Sequence, residues 1–462
     1  MSPEDGSFER GLLDAAETGS EKRVQRYLGY DLQVNFADSQ GRTALHLAAK
    51  NGYDTIVKSL VAAHCNVDAF SEVYGTALCE AASANRPSIV QLLLEAGADV
   101  NAPGGSLHGS AVHAACASGK LPILLLLLDA GASVSATPTI VPKENHNADG
   151  SHSPGAIRQY SCTPLYSAID TGHCHLVPAL ISAGADVNTT CKKWFESLAT
   201  NKETTQTTCL EEAPLHCAAA NGFGAIVELL LDQGVSIDIK TSDGLTPVMI
   251  TTIYNRPRCL RMLLDRGAGL DDRDTEEGRG MSALDYAASG GNRECLMTLV
   301  NFGAPMDGQD SKGNNALHHA CVNGHAACLE ALITAGVAVN GSDKKGQRAL
   351  GPLACAVGAG HVECAEVLIK RGADTHWTDV SKQTALFHAS TWACVELLAR
   401  QEATPDKQQE PNAATRSSWK EKTTRLLVSN NRLNKLANKK LNMNHRDART
   451  GPSASRARSA SR

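Results

Sequence analysis

The sequence predicts an all-α fold in which thin helical layers stack on one another, followed by a basic tail. Three observations carry this reading. The segment Gly41–Gly52 recurs along the chain at a spacing near 33 residues. Rings are scarce, with 7 Phe, 8 Tyr and 4 Trp in 462 residues against an apolar fraction of 42%. The core must then be assembled from Ala, Leu, Val, Ile and Cys, which suits close-packed thin layers better than a large ring-filled α/β core. Finally, the net charge of −5 hides a division. From Thr404 onward there are 14 Lys/Arg against 4 Asp/Glu, leaving 30 against 45 in the rest. An acidic body and a basic tail are expected to play different parts.

The repeat defines the body in order. Copies of Gly41-Arg-Thr-Ala-Leu-His-Leu-Ala-Ala-Lys-Asn-Gly52 begin near Phe8, Gly41, Tyr74, His108, Ser161, Glu211, Gly244, Gly280, Gly313, Ala349 and Lys382. The intervals are 33, 33, 34, 53, 50, 33, 36, 33, 36 and 33. A recurring Thr/Ser-(Pro/Ala)-Leu opening predicts a helix start, as at Thr43, Thr163, Thr246 and Thr384. The hydroxyl can cap free N–H groups, and proline is tolerated in the first turn. Ala pairs follow (Ala48-Ala49, Ala81-Ala82, Ala218-Ala219, Ala287-Ala288), small enough for neighbouring helices to approach closely. A Gly or Asn stop separates this helix from a second apolar one such as Ile89–Leu94, which ends at Gly97-Ala98-Asp99, Gly184-Ala185-Asp186 or Gly372-Ala373-Asp374. Glycine there supplies a left-handed cap.

Thr-Pro-Leu-His-x-Ala on a period of 33 resembles the ankyrin repeat family. The resemblance covers residues 8–403 as about eleven units, leaving 404–462 as tail. It implies an antiparallel helix pair and a β-turn finger per unit, stacked into a curved, monomeric solenoid that binds a protein on its concave face. The end units depart from the pattern. The first has Leu12-Leu13-Asp14 where Leu-His stands elsewhere, and the last is short around Trp392-Ala393. Both departures fit capping layers, which must turn a polar face outward.

Candidate chemistry falls mostly to packing. Cys259, Cys295, Cys328, Cys364 and Cys394 share one column of the second helices. Packed helices stand about 8–10 Å apart, too far for disulfides between layers, and free Cys serves there as a small hydrophobe. His46, His113, His216 and His318 recur one per layer in the fourth slot of the motif. A catalytic histidine would be singular and would have a nucleophile and an orienting carboxylate beside it; the resemblance implies hydrogen-bonding supports instead. His173-Cys174-His175 near Cys162 suggests zinc only weakly, because His173 follows the repeat glycine as His325 and His361 do. No phosphate loop, nucleophile elbow or kinase signature occurs. The expectation is no enzyme activity, no cofactor and no metal.

Fifteen cysteines without a C-x-x-C pair, behind a start (Met1-Ser-Pro-Glu-Asp-Gly6) lacking basic and apolar leader regions, read as reduced thiols in the cytoplasm or nucleus. The longest apolar run, Ile123–Leu128, is far short of a membrane span.

The two long intervals mark insertions around 137–160 and 189–210. The first is polar and is read as mobile. The second carries Trp194-Phe195, an aromatic pair expected either to dock on the array or to anchor a partner. Beyond Thr404 the composition is that of disorder, apart from a thin stripe over 419–441. There Trp419, Leu426, Leu433 and Leu436 share a helical face ringed by Lys and Arg, a pattern suited to an anionic surface or a partner groove. Ser459 and Ser461, after Arg456 and Arg458, resemble phosphorylation targets. Phosphate there would cut the tail's charge and release it from the acidic body.

The leading reading is a non-enzymatic scaffold or adaptor. The repeat frame assigns its concave surface to Arg42, Lys50, Asn51, Asp170, Asn221, Ile253, Tyr254, Met281 and Asn323. Ile253, Tyr254 and Met281 are singled out as apolar residues at solvent-facing slots. A second reading is a substrate-recruiting adaptor of a ubiquitin ligase. It calls for a Cys-containing Leu-rich box, and no Cys follows Thr404. A third is nucleic-acid or anionic-membrane association through the tail, which would weaken steeply with salt.

Overall fold

The computed structural model describes residues 7–30, 32–106, 109–137, 139–140, 157–198, 205–275, 279–340, 350–379 and 383–402. The tail from 404, with Ser459, Ser461 and the 419–441 stripe, lies outside them. The chain forms two compact units divided between Val235 and Ser236.

The first unit holds six helix pairs: α1 (Ser7–Glu17) with α2 (Glu21–Leu28), α3 (Ala44–Asn51) with α4 (Asp54–Ala62), α5 (Ala77–Ser83) with α6 (Pro87–Glu95), α7 (Ala111–Ser118) with α8 (Leu121–Asp129), α9 (Pro164–Asp170) with α10 (Val177–Ser182), and α11 (Pro214–Asn221) with α12 (Gly224–Asp232). The second holds five: α13 (Pro247–Ile253) with α14 (Pro257–Asp265), α15 (Ala283–Gly290) with α16 (Arg293–Asn301), α17 (Ala316–Asn323) with α18 (Ala326–Thr334), α19 (Pro352–Ala359) with α20 (Val362–Lys370), and α21 (Ala385–His388) with α22 (Trp392–Glu402). Within each unit the first helices pack on first helices in chain order, as do the second helices from α2 to α8 and from α14 to α22.

The motif's chemistry explains these boundaries. The openings take extended backbone, and the side chains of Thr163, Thr246, Ser282 and Asn315 accept the N–H three residues on. At Thr43 the hydroxyl turns to the ring of His46 instead, 2.9 Å from Nδ1. The Ala pairs are fully buried, and so is the cysteine column. Where the stop is Asn rather than Gly, Asn85 and Asn255 adopt the left-handed conformation themselves (φ 59° and 52°).

The sequence reading did not foresee a sheet. Strands β1 (Thr139–Ile140), β2 (Ile157–Ser161), β3 (Cys191–Leu198) and β4 (Thr205–Glu212) form an antiparallel sheet in that order. The two insertions are thereby joined, with Ser161 opposite Lys192, Tyr160 opposite Lys193 and Lys193 opposite Leu210. The geometry permits it because a two-stranded arm is about 10 Å wide, close to the 8–10 Å between stacked helices. Arms rising from adjacent layers therefore meet edge to edge. Trp194 and Phe195 occupy consecutive backbone positions of β3, opposite Cys209 and Thr208. Their side chains lie outside what the structure describes.

Candidate functional site: the first-helix and finger face

The histidine slot sets the spacing of this face. The backbone N–H of Thr43 points to His46 Nδ1 at 3.2 Å, which leaves Nε2–H to donate to the Gly75 carbonyl of the next layer at 3.0 Å. His113 repeats the bridge to the Cys162 carbonyl at 2.9 Å. Burial lowers the pKa of both rings, His113 to about 4, so both are neutral bridges rather than acids or bases. Other layers fill the slot differently. Tyr166 donates to Glu212 at 2.7 Å, while Asp285 accepts the Ser282 N–H at 2.9 Å.

A second row of bridges, missed in the sequence, leans on the previous layer. His173, His325 and His361 donate from Nε2 to the carbonyls of Ala117, Ser289 and Val322 at 3.2, 3.0 and 3.1 Å. Arg86 donates likewise to the Lys50 carbonyl at 3.2 Å. The rings lie flat over the repeat glycine: a Cβ on Gly119 would stand 2.6 Å from the His173 ring. His173 is therefore occupied by the stack. Among the described residues no three His, Cys, Asp or Glu side chains gather as a metal site would need.

In the first unit the structure brings Arg42 and Lys50 together. The Arg42 guanidinium carbon and Lys50 Nζ lie 5.5 and 5.3 Å from the ring centre of Tyr74, a double cation–π contact. Arg42 also holds Asp38 at 2.8 Å. Burial pushes that carboxyl up, but the hydrogen bonds and charge of Arg42 outweigh it and keep the pKa below the ordinary value. Lys50 reaches Glu80 at 3.6 Å. Asn51 donates to the Glu17 carbonyl at 3.1 Å and so serves the stack.

Asp170 and Asn221 also converge, on a group the sequence did not reveal. Lys193 of β3 points to Glu212 at 3.1 Å and Asp170 at 3.8 Å, with Nζ 5.1 Å from the centre of the Tyr166 ring. Cys217 donates to Asp170 at 3.7 Å, and the Asn221 amide donates to the Cys217 carbonyl at 3.0 Å. Burial alone would lower the Lys193 pKa; Glu212 and Asp170 override it and hold the ammonium well above its ordinary value. Burial likewise favours neutral Glu212, and Lys193 and Tyr166 reverse that. This cluster ties the base of the sheet to α9 and α11. No signal in the sequence could have found it, because the arm's strand register is not written in its composition.

In the second unit Ile253 is 37% exposed at the end of α13, beside a half-buried Tyr254. Met281 corrects the reading that placed it toward solvent. It is 6% exposed, and its N–H donates to Asp274 at 2.7 Å, so it packs beneath the finger. Asn323 bridges to Ser289 Oγ at 3.2 Å and to the His319 carbonyl at 2.9 Å.

The repeat arithmetic and this geometry agree with the family models. A model of three ankyrin repeats matches residues 12–104, 192–274 and 269–343. The single-repeat model matches 160–192 and 351–380. The chain belongs to the ankyrin repeat family. It is 33% identical over 92 residues to the tyrosine-protein kinase HTK16 of Hydra vulgaris (20% of this chain, 12% of the kinase). It is 32% identical over 94 residues to the probable E3 ubiquitin-protein ligase XBOS31 of Oryza sativa subsp. japonica (20% and 21%). Against the ankyrin repeat domain-containing protein SAT10 of Stachybotrys chartarum the identity is 25% over 362 residues (64% and 18%). The alignments thus take in no more than 21% of these relatives' own lengths. The crystal structure of the human ASB11 ankyrin repeat domain is 23% identical, covering 53% of this chain and 100% of that one with a TM-score of 0.43.

Proposed function

We propose that the protein is a non-enzymatic interaction scaffold that takes up a protein partner on its first helices and fingers, working in the cytoplasm or nucleus. One observation carries the reading. Ala48-Ala49, Ala81-Ala82, Ala218-Ala219 and Ala287-Ala288 are the same pair, each fully buried. The slot immediately after the pair holds Lys50, Ser83, Ala220 and Ser289, and the same slot in other layers holds Asp170 and Ile253. Stacking demands a buried pair, which is Ala168-Ile169 and Thr251-Thr252 in the last two of these layers, and leaves the next slot free to vary in charge and size, which is where partner recognition is encoded. The kinase and ligase relatives share about a fifth of this chain, so their catalysis is not carried over.

The test is affinity capture with the full chain and with Ile253→Glu/Tyr254→Glu and Arg42→Glu/Lys50→Glu variants. A partner bound by this face is recovered by the wild type and lost with at least one variant. An identical set of proteins from all three chains overturns the proposal.

The charge division supports a second reading, in which the tail contacts the acidic body or an anionic surface. Binding to heparin or anionic vesicles should then vanish in a chain ending at Ala403 and fall steeply with salt in the full chain. Repeat-borne protein binding should survive that truncation.

A further inference from the structure

Among the described residues no layer follows the last helix pair, whose first helix carries apolar side chains that are only half-buried. In the second slot of the first helices, Val248, Leu284, Leu317 and Leu353 are 0–5% exposed, each covered by the layer that follows. The corresponding Leu386 is only half-buried, as is its neighbour Phe387. Helix α21 runs for four residues, and Trp392 at the start of α22 is 40% exposed. End layers of a stacked array normally turn polar residues outward. Here Leu386, Phe387 and Trp392 stand beside the exposed Glu396–Arg400 pair of α22 as the apolar part of the last layer.

We propose that residues 419–441 of the same chain cover this face as a capping helix. The occupant follows from chain continuity. The chain leaves the last helix at Glu402, and 15 residues separate Ala403 from Trp419. That length spans up to about 50 Å when extended, far more than the roughly 10 Å width of one helix layer. A tether of this kind gives an effective concentration of order millimolar, which favours the chain's own segment over a second copy. The segment also matches the need. At helical spacing Trp419, Leu426, Leu433 and Leu436 would fall on one apolar stripe, with Lys and Arg around it to face the solvent.

Hydrogen exchange on the full chain, read by mass spectrometry, tests this. Trp419→Glu/Leu426→Glu/Leu433→Glu changes only residues outside the repeats, so the array stays folded. The expected result is protection over 419–441 in the wild type. In the variant that protection is lost, and amides of α21 and α22 exchange at least about tenfold faster while α13–α16 keep their rates. Trp392→Glu, at an exposed position, should release the 419–441 amides in turn. Unprotected 419–441 amides in the wild type, or α21–α22 rates equal in wild type and triple variant, would overturn the proposal. So would protection that rises with concentration alongside a doubled mass in light scattering, because a second copy would then be the occupant.

Discussion

His46 and His113 each join two layers through opposite ring nitrogens, and that arrangement works only for the neutral imidazole. The His113 ring falls from 6.5 to about 4 on burial. Above about pH 6.5 folded and unfolded chains both hold it neutral, so its full contribution is present. Between there and about 4 the unfolded chain takes up a proton that the folded one refuses, and stability falls as pH falls. Thermal melting should show a steeper decline over this window in the wild type than in His113→Gln, whose amide does not titrate; parallel profiles would refute the assignment. Thiols offer a second check. Thirteen of the fifteen cysteines are buried, Cys174 is intermediate and Cys209 on β4 is exposed. At Cys191 the neighbouring Cys162 thiol and burial push the pKa far up and keep the group unreactive. A thiol reagent should label Cys209 first, and Cys209→Ser should remove the fast phase. At this scale the sequence was legible wherever a residue type recurred with its slot, as for the histidine and cysteine columns. It was not legible for Met281, because a finger's fold over a helix end decides burial there.

Among the elements, the helices were readable because capping and stop residues act within one turn of chain. The sheet was not. Neither arm alternates clearly, and each gains its partner strand from another insertion some thirty residues away. The site inherits this blindness: Asp170 and Asn221 were identified from their slots, but Lys193, which binds Asp170, belongs to β3. Removing it leaves two carboxylates facing each other beneath the sheet. Lys193→Met should destabilise the molecule by about 2–3 kcal/mol, and Glu212→Gln in the same chain should recover part of that loss. A double-mutant cycle read by thermal or urea unfolding measures the coupling. Additive effects would show that the sheet is held to α9 and α11 by something other than this ion pair.

For the whole molecule, the period is the feature that made the fold predictable, since each layer contacts only its neighbours and local grammar therefore determines global order. Function is less legible for the same reason: a grammar that fixes stacking says nothing about the slots it leaves free, and only their variety, from Lys50 to Asp170 to Ile253, points to recognition. Nearest-neighbour stability has a consequence that distinguishes it from a single cooperative core. Ala16 in α1 and Ala82 in α5 occupy equivalent slots, and both are fully buried. Replacing either with Gly costs about 1 kcal/mol of helix propensity, yet the neighbourhoods differ. Helix α1 packs on α3 alone among the first helices, whereas α5 packs on both α3 and α7. Hydrogen exchange should therefore quicken over α1–α4 in Ala16→Gly, and over α3–α8 in Ala82→Gly. A loosening that reaches every layer of the first unit equally in both variants would mean that the layers unfold together, and that the stack is not additive.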